Sequence, residues 1–274
     1  MTKQKATLEL IDTAASILRE QNPMTVRQLY YQLVSRQVIK NNKSQYSRVS
    51  KAIVSARQES TIPWEWIEDR TRRPRTVGMW DDLSDFSATA VQAYRRDVWN
   101  TQPAYIEVWL EKDALSGLFE NVLGEYGVTL NVGRGYDGWS SIKNAAQRYQ
   151  ARDCAVTILY FGDFDPSGED MARSLIERLG FFEVRPEVIK CALTGDDVTR
   201  YDLPTDFAKK TDTRRKGFVD KHGDVSVELD ALPVAVLLAR LRAEVENRLD
   251  LVSLRQVRKT EQADRVKLAR LLGA

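Results

Sequence analysis

The stretch Thr157–Gly168, TILYFGDFDPSG, sets two carboxylates, Asp163 and Asp165, directly behind an apolar run. Val156, Ile158, Leu159, Tyr160 and Phe161 read as a strand buried on both faces, as in a parallel sheet. Pro166-Ser167-Gly168 then turns the chain into a helix over Glu169–Leu179, with Ser167 placed to cap it and Asp170 in its first turn. Extended backbone through Phe164 points Asp163 and Asp165 to the same side. Two carboxylates side by side at a strand's carboxyl end repel unless a positive charge sits between them. A hard divalent cation such as Mg2+, which keeps waters for a phosphate, meets that need. Open α/β sheets also place their ligands at this edge. The alternative is an Asp-rich solvated turn.

The rest of the composition narrows the chemistry. His222 is the only histidine among 274 residues, which excludes the HExxH zinc motif and the H-x-E deaminase motif. Cys154 and Cys191 have no metal-ligand spacing, so no zinc site is expected and a reducing compartment is. No apolar run approaches the roughly 20 residues of a membrane span. The first residues, MTKQKATLELID, lack the unbroken apolar stretch of a signal peptide. The expectation is a cytoplasmic protein with no membrane contact, whose chemistry runs on carboxylates, Tyr, Lys or Arg. Charge is unevenly spread: 16 Lys and Arg against 11 Asp and Glu up to Asn100, and 25 against 28 beyond it. A basic first part joined to a mildly acidic second part suits a polyanion gripped by the first.

The elements that must position these residues follow from periodicity. Leu8, Ile11, Ala15 and Leu18 recur at helical spacing, and Asn22-Pro23 ends that helix. Thr25 and Gln28 form a capping box for a second helix, whose apolar face is Val26, Leu29, Tyr30 and Leu33. Tyr31 lies about 100° further round, off the core and on the side of Arg27. A third helix over about 45–58 turns Tyr46, Val49, Ile53 and Ala56 inward and presents Arg48, Lys51, Ser55 and Gln58 on another face. The pair has the look of a helix-turn-helix. IPWEWIEDRTRRPR (62–75) carries Arg70, Arg72, Arg73 and Arg75, which suits a wing on a phosphate backbone. Leu83, Phe86, Ala90, Tyr94 and Val98 mark a connecting helix, and Thr101-Gln102-Pro103 a domain boundary.

Beyond it strands and helices alternate: a strand at Tyr105–Leu110 ending in Glu111-Lys112-Asp113, a helix to about Tyr126, a strand at Val128–Val132, and a helix at Trp139–Gln150. Strands at Cys154–Phe161 and Val184–Leu193 follow, with a fifth over Val225–Leu229 alternating with Ser226, Glu228 and Asp230. This order means a mostly parallel sheet between helices. Glu111 then sits beside Asp163 and Asp165 if their strands are neighbours. Glu107, roughly 13 Å short of that edge, has no explanation in an otherwise apolar strand. Gly133–Gly138 matches G-x-G-x-x-G but lacks the later acidic strand end, so a Gly-rich turn is the better reading. No P-loop is present.

Four of these segments resemble the A subunit of topoisomerase VI and its meiotic double-strand-break relatives, and among them the stand-alone Mini-A group. VRQLYYQLV is similar to that family's R-x-x-Y-Y helix, WLEKDAL to its Toprim E-K strand end, YFGDFDPSG to its D-x-D-P-x-G turn, and RGYDG to its K-G-Y-P-D segment. VELDAL, with Glu228, resembles a late acidic strand of the same domain. The resemblance implies a winged-helix domain over 1–100 and a Toprim domain with a helical tail over 101–274. It further implies that Tyr31, aided by Arg27, attacks a DNA phosphate to leave a 5′-phosphotyrosyl bond. Glu111, Asp163 and Asp165 would hold Mg2+, and Lys112 and Arg134 would touch phosphate. The implied assembly is a homodimer in which the tyrosine of one subunit serves the metal of the other, with any ATPase on a separate subunit. Two alternatives stay open: a Toprim nuclease that uses water, with Tyr31 a DNA contact, and a non-catalytic DNA-binding regulator.

Overall fold

A computed structural model describes residues 5–68, 77–133, 138–208 and 211–273. Helices α1 (Lys5–Gln21), α2 (Val26–Ser35) and α3 (Lys43–Gln58) pack on one another around Leu18, Leu29, Leu33 and Ile53. The expected capping box starts α2: the Thr25 hydroxyl accepts from the Gln28 N–H at 3.1 Å, and the Gln28 side chain accepts from the Thr25 N–H at 2.8 Å. Asn42 caps α3 through the Gln45 N–H at 3.0 Å. After α3 the chain makes a 3-10 turn at Trp64–Trp66, and Ile67 forms a single parallel bridge with Met24. Among the described residues no strand pair completes a wing. The four arginines expected there, Arg70, Arg72, Arg73 and Arg75, lie outside the described residues, as does Arg134.

The connecting helix is shorter than its apolar spacing suggests. Helix α4 (Leu83–Ala93) stops before Tyr94, and Val98 is buried beyond its end. The cause is long-range. The Tyr94 carbonyl accepts two hydrogen bonds from Arg265, at 3.1 and 2.8 Å, and the Arg96 N–H donates to Glu261 at 2.8 Å. Those contacts hold the segment against the C-terminal end of the chain.

The rest is an all-parallel, four-stranded sheet flanked by helices. It runs β1 (Ala104–Leu110), α5 (Ser116–Leu123), β2 (Thr129–Val132), α6 (Trp139–Gln150), β3 (Ala155–Phe161), α7 (Pro166–Gly180) and β4 (Glu187–Ala192). The spatial order is β2-β1-β3-β4. The first crossover therefore moves to one side of β1 and the next returns to its other side. With right-handed crossovers, α5 covers one face and α6 and α7 the other. A crevice at the carboxyl ends of β1 and β3 is the consequence, where open α/β sheets bind ligands. The core beneath it is Trp109, Phe119, Phe161 and their aliphatic neighbours, all fully buried.

Two boundaries differ from the local reading. Helix α7 begins at Pro166, capped by Asp165 instead of Ser167: the Asp165 carboxylate accepts from the Gly168 N–H at 2.7 Å. The fifth strand is absent. Val227 instead makes an isolated antiparallel bridge with Phe164, and Leu229–Ala231 is a 3-10 turn. Hydrogen bonds in both directions between Phe164 and Val227, 2.9 Å each, fold this segment over the end of β3. Alternating polarity here reflects that fold-over. Between β4 and the bridge lie α8 (Gly195–Arg200) and α9 (Arg215–His222), and α10 (Val234–Glu246) and α11 (Leu251–Leu272) close the chain. No described helix is long and apolar enough to cross a membrane.

Candidate functional site

The carboxyl ends of β1 and β3 are adjacent and in register, Leu110 opposite Phe161. The Glu111 N–H extends the ladder by donating to the Phe161 carbonyl at 2.9 Å, and the Glu111 carboxylate accepts from the Asp163 N–H at 2.9 Å. Gly162 makes this possible, because a Cβ there would lie 2.6 Å from Glu111 Oε2. Gly168 serves the same purpose for the next turn, where a side chain would collide with the Asp163 carbonyl oxygen. The glycines of G-D-F-D-P-S-G are thus close-approach positions.

These residues open onto a cleft of about 340 Å³ whose walls include Tyr31, Glu111, Lys112, Asp163, Asp165 and Glu228. Tyr31 comes from α2, which docks on the 229–231 turn. The expectation of an exposed Tyr31 is corrected: it is only 8% exposed, edge-on to Tyr30 at 5.1 Å. Helix α2 has neighbours on nearly every side, so its second face is a contact face too. Arg27 follows the same docking and pairs with Glu228, 201 positions away, with its Nε 4.0 Å from Asp230. The remaining predicted contacts stay elsewhere. On α3, Lys51 is exposed, and the Arg48 guanidinium is spent on the Ala6 carbonyl at 2.8 Å.

Electrostatics distinguish this cleft from an ordinary polar surface. Lys112 Nζ lies 2.9 Å from Asp163, 3.1 Å from Glu228 and 3.7 Å from Asp230. Lys190 on β4 donates to the Asp163 carbonyl at 3.0 Å. Burial, then the neighbouring Asp163 charge, pushes the Glu111 carboxyl up to about 7. Burial also raises Asp163, against the pull of Lys112, and lifts Asp230 to about 6. Glu228 goes the other way: burial opposes ionisation there, but Lys112 and Arg27 together hold it below the usual carboxylate range. The Tyr31 hydroxyl is pushed up to about 12 by burial and by Glu228, with Arg27 opposing. Burial lowers Lys190.

Of the three expected metal ligands, Glu111 and Asp163 touch through a backbone N–H, while one oxygen of Asp165 caps α7. Among the described residues no three His, Cys, Asp or Glu side chains are gathered as a metal ion requires. The Lys112 ammonium stands among the carboxylates instead. What does invite a cation is Asp230: fully buried, with neither oxygen accepting a hydrogen bond from the described residues. Asp230 and Lys190 are site residues that the sequence pattern does not single out. The faint signals are the polar residues Glu228 and Asp230 in V-E-L-D-A-L for the first, and Lys190 inside an apolar strand for the second. His222, the lone histidine, sits 2.7 Å from Glu169.

No protein-family profile matches the chain, and a search of curated proteins finds no match.

Proposed function

We propose that this protein binds DNA and cleaves it with Mg2+ through a tyrosyl-DNA intermediate, in the manner of the type IIB topoisomerases that its motifs resemble. One observation carries the reading: among the described residues Glu111, Asp163, Asp165, Asp206, Asp212 and Glu228 line a cleft together with Tyr31 and Lys112, while Asp230, Arg27 and Lys190 contact that lining from outside it. That deficit of positive charge at the strand ends matches a divalent ion. Glu111, Asp163 and Asp165, with Asp230 behind them, are the residues that would hold it. A bound ion would supply charge neutralisation for the scissile phosphate and its leaving oxygen.

In this reading residues 1–100 grip DNA as a winged-helix unit, with Lys51 and the arginines of 70–75 on the backbone, and 101–274 form a Toprim domain. Tyr31 Oη gives its proton to solvent and attacks phosphorus, the bond from phosphorus to the 3′-oxygen breaks, and that oxygen takes a proton from solvent, giving a 5′-phosphotyrosine and a free 3′-hydroxyl. A hydroxyl raised to about 12 is a poor nucleophile, so Arg27, which already opposes that rise from beside Tyr31, has to stabilise the phenolate as it forms. The same burial favours a second reading, a nuclease in which water attacks and Tyr31 only contacts DNA.

Incubation with supercoiled plasmid, with and without Mg2+, tests both. The covalent reading expects Mg2+-dependent cleavage with protein attached to 5′ ends. It also expects a loss on the order of a thousandfold or more in Tyr31→Phe, and loss in Asp163→Ala with Asp165→Ala. Undiminished cutting by Tyr31→Phe moves the assignment to the nuclease. A parent protein that binds DNA and never cuts it is a regulator.

A further inference from the structure

Building on the metal-dependent reading above, we propose that Lys112 is a built-in counter-ion that a divalent cation must displace. A DNA phosphate, by giving the displaced ammonium a new partner, then couples cation loading to substrate binding. Three carboxylates from two distant segments of the chain converge on this one ammonium: Asp163 at 2.9 Å, Glu228 at 3.1 Å and Asp230 at 3.7 Å. Asp230 is fully buried and its two oxygens accept no hydrogen bond from the described residues, so the ammonium compensates it only at a distance. An incompletely compensated buried charge is costly, and a small ion with two charges compensates it better than a monovalent group.

Lys112 is suited to leaving. It follows β1 directly, its side chain is 20% exposed, and it lines the same cleft as Tyr31 and Asp165. A four-carbon stem lets the ammonium swing into that cleft while the backbone stays in place. Glu228 is not stripped bare when it goes, because Arg27 remains paired with it. Lys190 does not take its place, since its ammonium donates to the Asp163 carbonyl and not to the carboxylates. Evicting Lys112 costs less when a phosphate waits in the cleft. By linkage the cation must then raise DNA affinity by the same factor that DNA raises cation affinity.

Mn2+ binding followed by electron paramagnetic resonance, without any cleavage step, tests this in a Tyr31→Phe background. With Lys112 present, a short duplex should tighten Mn2+ binding about tenfold, within the usual range of coupling between sites. Adding Lys112→Met should tighten Mn2+ binding by a similar factor without DNA, and the duplex should then add little. Lys112→Gln serves the same purpose if circular dichroism shows that the methionine variant does not fold. Mn2+ binding no tighter in either variant, or an undiminished duplex effect, overturns the proposal while leaving the metal-dependent reading intact. No Mn2+ binding by any of these proteins removes both.

Discussion

Glu107 and Glu111 leave the same segment four residues apart, one from the middle of β1 and one from just past its carboxyl end. Glu107 is fully buried, yet every requirement of its charge is met. Arg148 grips it with two hydrogen bonds, at 2.7 and 2.8 Å, while Tyr105, Asn131 and Tyr149 donate at 2.9, 2.6 and 2.9 Å. Trp109 in turn donates to the Tyr149 hydroxyl at 3.0 Å. Glu111 has a backbone N–H and the field of Lys112, set against Asp163 and Asp165. The first arrangement is closed and leaves nothing for a ligand to supply. The second is open and short of positive charge. Burial of a carboxylate is therefore not in itself a mark of a site; incomplete compensation beside a cleft is.

Substitutions at the two positions should part in sign. Glu107→Ala leaves the Arg148 guanidinium without its partner and should cost roughly 3–5 kcal/mol, read as a fall in denaturation midpoint. A loss under 1 kcal/mol would break the contrast. Glu111→Gln should do the opposite above pH 7, stabilising by about 1–3 kcal/mol, because the folded chain is relieved of an unwelcome charge. The same variant should lose any Mg2+-induced rise in melting temperature.

Its pH dependence sharpens the point. An acid raised in the folded state holds more protons there than in the unfolded chain, so its stability is present at low pH and lost as pH rises. For Glu111 the window runs from its ordinary 4.5 to about 7. Parent protein should lose stability across that interval relative to Glu111→Gln, and parallel curves would deny the raised acidity. Arg148→Lys keeps the charge but not the fork, and should cost a smaller amount, about 1–2 kcal/mol.

Subunit organisation divides the same two kinds of residue. Tyr31 lines the cleft of its own chain, whereas the resemblance implies delivery to a partner. Mixing Tyr31→Phe protein with Asp163→Asn protein decides between them. Sites shared between subunits regain cleavage in the mixed dimer, and sites built from one chain stay inactive.

Much of this was legible locally. The Thr25/Gln28 box, β1, β3 and their helices follow from capping residues, apolar runs and helical periodicity, which act over a few residues. The meeting of Glu111 with Asp163 needs one fact more, that β1 and β3 are neighbours, which the alternation of strands and helices leaves open and the sheet order supplies. Local pattern fails where distant segments intervene: α2 packs on the 229–231 turn and Tyr31 is buried, and the alternation over 225–229 belongs to an isolated bridge with Phe164.

The amino-acid order alone determined which side chains reach the strand ends, since direction and spacing along a strand are backbone properties. Whether a carboxylate there is sated, like Glu107, or left wanting, like Asp230, was decided only by the folded arrangement. Charge compensation acts through space, and its partners, Arg148 for the one and Lys112 and Arg27 for the other, arrive from segments far apart in the chain.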